Sequence, residues 1–194
     1  MSKELDLFKS VPSYLTTQGK AAHDLVANVL GGFAALSILG SKFAIVRDGE
    51  RKLVTRPDEP DAPATSLNIV IVRANPNLSK TYYSKKYEEG TAEAPDCYSN
   101  NGIGPEPDSH KPQARVCATC PHNAFGTGLS GKGKACSDSR RLAVAPVGNI
   151  NDLMLLRVPP TSLKTLRDFG KILIDRGVNY SGVITKVRFD PSEA

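Results

Sequence analysis

Long apolar runs are missing from this 194-residue chain. The most apolar stretch, residues 25–39, is too short to cross a bilayer and contains Asn28, Gly31 and Gly32, so no membrane helix is expected there. Residues 1–15 are charged, are broken by Pro12 and lack the apolar centre of a secretory leader, which predicts a cytoplasmic protein with no membrane partner. Paired carboxylates near a histidine that would support nuclease chemistry are also not seen. That argues against metal-assisted hydrolysis of nucleic acid and predicts a protein that is not an enzyme. No internal repeat is present. Cysteine is scarce, with four residues in all, and these are confined to residues 97–136. In a reducing compartment such clustering points to a metal rather than to disulfides.

The rest of the composition is that of a folded domain. Hydrophobic residues make up 40% and charged residues 23%, a balance that excludes a disordered chain, and the length allows one domain with a core or a domain carrying an insertion. The net charge is +5. Residues 111–141 alone hold Lys111, Arg115, Lys132, Lys134, Arg140 and Arg141 against the single acid Asp138. The basic excess therefore surrounds the cysteines and suits an anionic partner.

Along the chain, Ala21, Ala22, Leu25, Val26, Val29 and Leu30 recur at helical spacing before Gly31-Gly32. The period then becomes that of strands, at residues 36–38, 43–46 and 53–55, with Asp48-Gly49 as a hairpin turn between the last two. A proline-rich loop at 57–64 precedes strands at 67–72 and 80–83. Residues 88–133 are rich in Gly, Pro, Asn and Ser, and so long a stretch without its own core is rare in a compact domain. A bound metal would supply that core. Strands at 141–146 and 153–158, a helix at 162–176 and a strand at 183–189 complete a mainly β, α+β layout with two helices. The reading gives an N-terminal helical segment (1–35), one β-rich domain (36–189) with a metal-binding insertion (88–140), and a short tail (190–194).

Cys117-Ala-Thr-Cys120 is a C-x-x-C knuckle, and Cys97 and Cys136 flank it. Four thiolates suit a tetrahedral structural zinc, with an iron–sulfur cluster or no metal as the alternatives. His110 and His122 are conceivable substitute ligands, read here as exposed loop histidines. Residues 126–132 fit the start of a phosphate-binding P-loop, but Gly133 stands where Ser or Thr should hold magnesium, and neither a strand before nor a helix after is expected. A basic loop is the better reading. His122-Asn123 beside a cysteine pair is reminiscent of metal-dependent nucleases, yet no second ligand set accompanies it.

Lys80, Tyr82, Tyr83, Lys85, Lys86 and Tyr87 interleave aromatics with lysines, a pairing suited to single strands: lysines follow phosphates and an exposed ring stacks on a base. Strand alternation predicts that one of Tyr82 and Tyr83 is buried. Tyr98, Arg115, Phe125, Lys132, Lys134, Arg140 and Arg141 form a second candidate patch around the cysteines.

The blocks at residues 70–83, Ala94-Pro-Asp-Cys97-Tyr98, Cys117-Ala-Thr-Cys-Pro-His-Asn123, residues 133–144 and Leu155-Leu-Arg-Val-Pro159 resemble a family of bacteriophage proteins described as single-stranded-DNA-binding or replication-accessory proteins. The resemblance covers residues 36–189. It implies an OB-like barrel, with the zinc site in its insertion, that binds displaced single-stranded DNA during phage replication or recombination. Replication proteins would be further partners, in the host cytoplasm. Many such proteins recruit partners through a strongly acidic C-terminal tail, whereas here the tail holds only Asp190 and Glu193. The alternative function is a zinc-stapled protein–protein adaptor, such as a phage protein that binds a host factor.

Overall fold

The computed structural model describes residues 33–85, 94–128 and 131–189. The N-terminal helix expected at 21–30 lies outside them, as do Lys86, Tyr87 and the tail. Among the described residues there are nine strands and one α-helix. No helix there is long and apolar enough to cross a membrane.

Strands β1 (Ala34–Leu39), β2 (Lys42–Arg47) and β3 (Glu50–Leu53) form a meander. Both hairpins use two-residue turns with positive φ, Gly40-Ser41 at 56° and 54° and Asp48-Gly49 at 52° and 83°. That mirror-image turn matches the right-handed twist of the strands it joins. Next come β4 (Ser66–Ala74), β5 (Ser79–Tyr82), β6 (Cys97–Ser99), β7 (Cys136–Pro146), β8 (Met154–Val158) and β9 (Thr185–Arg188). Helix α1 (Leu163–Asp175) lies between β8 and β9. The main sheet runs β3-β2-β1-β8-β7-β4-β9, with β1 and β8 parallel, and curls into a half-barrel.

Its inner face holds the core. Leu36, Phe43, Ile69, Ile71, Leu142, Val144, Met154 and Leu156 are buried, one from every second position of their strands, as the two-residue pleat requires. Phe43 is fully enclosed and its ring meets Phe189 at 4.3 Å. Burial of such a ring stabilises the fold by up to about 3 kcal/mol.

Strand β7 is the spine of the molecule. Along one edge its first half pairs with β5 (Tyr82 opposite Cys136) and its second half with β4 (Ala74 opposite Leu142). Between the two, residues 75–78 leave the ladder. Polar groups fill the break: Arg140 donates to the carbonyls of Asn75 and Pro76, and Arg141 donates to the Asn100 side chain. The Asn75 amide and the Ser79 hydroxyl both donate to the Asn100 carbonyl. A small second ladder, β6-β5-β7, is thereby suspended from the main sheet. The residues after the P-loop-like stretch enter β7, a strand, so the expected absence of a following helix holds.

Candidate metal centre and the adjoining aromatic face

Ladder register brings Cys97 and Cys136 together. Tyr82 is opposite Cys97 on one side and Cys136 on the other, and side chains at paired positions share a face. One step along, Lys80 is opposite Ser99 and Asp138. The remaining two cysteines arrive on single turns of 3-10 helix at Cys117–Thr119 and Pro121–Asn123. These turns are pinned by Cys117 N–H donating to the Ile103 carbonyl at 2.8 Å and by the Asn123 amide donating to the Cys117 carbonyl at 2.9 Å.

Cys97, Cys117, Cys120 and Cys136 all line one small cavity of about 10 Å³, together with Lys80, Tyr82 and Ser99. All four are free thiols; three are buried and Cys120 is half-buried. Such a space holds about one water-sized sphere. Among the described residues no three or more His, Cys, Asp or Glu side chains stand in a ready metal-holding arrangement. The four cysteines share a cavity without being drawn into a coordination sphere. Their chemistry nonetheless fits a soft or borderline cation: the donors are all sulfur, they come from three segments of the chain, and all four line one cavity.

Burial raises the Cys136 thiol to about 11, and the neighbouring Cys120, Cys117 and Cys97 add to the rise while Lys80 opposes it. Burial likewise raises Cys117, against a hydrogen bond from Ser99 and the charge of Lys80. Buried thiols of this kind are inert as nucleophiles.

Beside the cavity lies a charge network that sequence reading did not find. Lys80 Nζ donates to Asp138 at 2.5 Å and to Asn123 Oδ1 at 3.0 Å; Lys134 Nζ donates to Asp138 at 3.0 Å and to Asn123 Oδ1 at 3.2 Å. The Lys80 side chain is only 11% exposed. Burial pushes the Asp138 carboxyl up, but the two lysines outweigh it and hold the group below the ordinary aspartate range. The only signal in the sequence was that Asp138 is the lone acid among six cations.

The predicted nucleic-acid residues divide into two sets. Tyr82, Phe125, Lys80 and Lys134 come together around this network. Tyr82 stacks on His122 with ring centroids 4.3 Å apart, so His122 is half-buried rather than an exposed loop residue. Lys134 Nζ sits 5.2 Å over the Phe125 ring, and Phe125 is itself 81% exposed. Lys132 is exposed on the loop between them, which closes through Gly126 N–H donating to the Gly133 carbonyl at 2.7 Å. Tyr83 and Lys85 are exposed just beyond β5, and His110 and Arg115 are exposed on the segment between β6 and the first 3-10 turn. Neither tyrosine of the expected pair is fully buried: Tyr82 is half-buried and Tyr83 exposed.

The second set is engaged elsewhere. Arg140 and Arg141 serve the break between β4 and β5, and burial lowers the pKa of Arg141. The Tyr98 hydroxyl donates to Asp108 at 2.5 Å, which raises its pKa. Lys86 is outside the described residues. In comparisons with known proteins, no family model, no curated protein and no solved structure matches this chain.

Proposed function

We propose that this chain is a non-catalytic single-stranded-DNA-binding protein whose aromatic, basic face is held in place by a structural zinc on Cys97, Cys117, Cys120 and Cys136. One observation carries the reading: Phe125 is 81% exposed, beside Lys134, on a loop that starts at Cys120 and ends at Cys136. An apolar ring so exposed adds little to the fold, whereas a base stacked on it contributes about 1–3 kcal/mol regardless of sequence. Lys132 and the lysine pair around Asp138 place positive charge next to that ring, where a phosphate chain would run. The bound metal would neutralise the four thiolates and fix the loop; the protein's own residues do the binding. The curled half-barrel is compatible with an OB-like barrel, and action in phage replication or recombination within the host cytoplasm follows from the sequence resemblance.

The test is fluorescence anisotropy with labelled single-stranded and duplex oligonucleotides of mixed sequence across a salt series. Tighter binding of the single strand, weakening with salt, is expected. No binding to single strands at low salt would end the proposal. The alternative, a zinc-stapled protein–protein adaptor, would use the same metal-fixed loop to dock a protein, and a stoichiometric protein partner that survives nuclease treatment would favour it.

A further inference from the structure

Helix α1 carries a continuous apolar row, Leu163, Leu166, Phe169 and Leu173, yet none of its residues is buried. Leu163, Leu166 and Phe169 of this row pack, half-buried, against the edge of the core on the sheet. Between helix and sheet runs an open groove of about 540 Å³, within the size range of ligand-binding clefts. Ile71 and Leu142 form its buried floor, and Leu78 and Tyr180 also line it.

Its charge is one-sided. Arg140 lines the β7 side, Lys164 and Arg167 line the α1 side one turn apart, and among the described residues no carboxylate lines the groove. Arg140 uses one nitrogen on the Asn75 and Pro76 carbonyls. Arg167 reaches Asp168 through Nε at 3.3 Å, a contact between two exposed side chains that is weak in water. Lys164 is exposed with no ion pair among the described residues.

We infer that this groove binds a short acidic peptide segment of a protein partner, with two or three bulky apolar side chains against Ile71, Leu142 and Phe169 and carboxylates on Arg140, Lys164 and Arg167. Charge complementarity selects the occupant. Apolar walls favour leucine- or phenylalanine-like side chains, and cations on both walls call for carboxylates at more than one point, which a single-headed alkyl anion cannot supply. The surface is separate from the Phe125 face, so the inference stands without the DNA-binding proposal.

The experiment uses the full chain and a fluorescein-labelled decapeptide of alternating leucine and aspartate, with a leucine–lysine peptide as its counterpart. The aspartate peptide is expected to bind at least about tenfold more tightly than the lysine peptide. The double variant Lys164→Glu, Arg167→Glu, at exposed positions where folding is preserved, is expected to reverse that order. Equal affinity for the two peptides, no binding of either, or an unchanged order in the double variant would overturn the inference. Displacement of the peptide by equimolar dodecanoate would assign the groove to lipid-like anions, and a dimer that the double variant dissociates would assign it to a second copy. Either result overturns the inference as well.

Discussion

Replacing Phe125 by alanine should separate binding from folding. The ring is 81% exposed, so about a fifth of a surface of roughly 200 Å² is covered, and its removal costs at most about 1 kcal/mol of stability. The contact with Lys134 adds little at so exposed a site, about 0.5–1 kcal/mol. Loss of one stacking platform, by contrast, removes about 1–3 kcal/mol of binding, which weakens the dissociation constant about 5- to 150-fold. The measurement pairs anisotropy with a labelled thymidine oligonucleotide at fixed salt with a thermal melt of the same preparation. Ile174→Ala on α1, at a side chain 77% exposed, is the control and should change neither. A folded Phe125→Ala protein with unaltered affinity would refute the reasoning. The salt response refines it. Lys80 and Lys134 share Asp138 and so contribute about one net charge, with Arg115 and Lys132 adding one each. About three neutralised phosphates give a slope of log affinity against log salt near −2.

Further outcomes are expected. Purified protein should contain one zinc per chain by elemental analysis, and Cys117→Ser should lose it and sensitise residues 117–136 to protease; wild-type protein without stoichiometric metal would refute the zinc site. Asp138→Asn should cost about 2 kcal/mol at neutral pH in urea unfolding, because it leaves two lysines around an uncharged group. As the folded carboxyl is held below its unfolded value, its stabilisation is present above the ordinary aspartate pKa and lost as pH falls through the depressed one. The wild-type melting temperature should therefore drop more steeply than that of the variant below about pH 4. Gly102→Ala should destabilise by about 2–3 kcal/mol in the same assay: Gly102 has φ +70°, and an added Cβ would press into the Leu78 carbonyl oxygen.

Strands β1 and β2 were legible because their apolar runs and the Asp48-Gly49 turn are local signals, whereas the strand expected at 53–55 overlaps the charged, exposed β3 only at Leu53. Strand β4 and helix α1 were legible for the same reason, each within two residues of its observed ends. The first half of β7 was not. Residues 136–140, Cys-Ser-Asp-Ser-Arg, read as polar loop because their partners, β5 and the cysteine cavity, are remote in sequence. Strand β6 is three residues long and was missed likewise. The clustering of cysteines pointed to one shared site, and the structure brings all four to one cavity. What no spacing could reveal is that Lys80 and Lys134 would be spent on Asp138, or that Arg140 and Arg141 would serve the backbone break. Cation–carbonyl and cation–carboxylate pairing depends on strand register, which a count of basic residues does not contain.

The double allegiance of β7 sets an order of assembly. Three of the cysteines leave the ribosome well before Cys136, and the wall of the cavity that Cys136 belongs to is the same strand that later receives β8. A nascent chain stopped short of residue 136 has the knuckle but nowhere to seat it. Enclosure of the sulfurs and completion of the central sheet thus depend on the same strand, and a truncated fragment of the cysteine segment that lacks it would not be expected to fold alone.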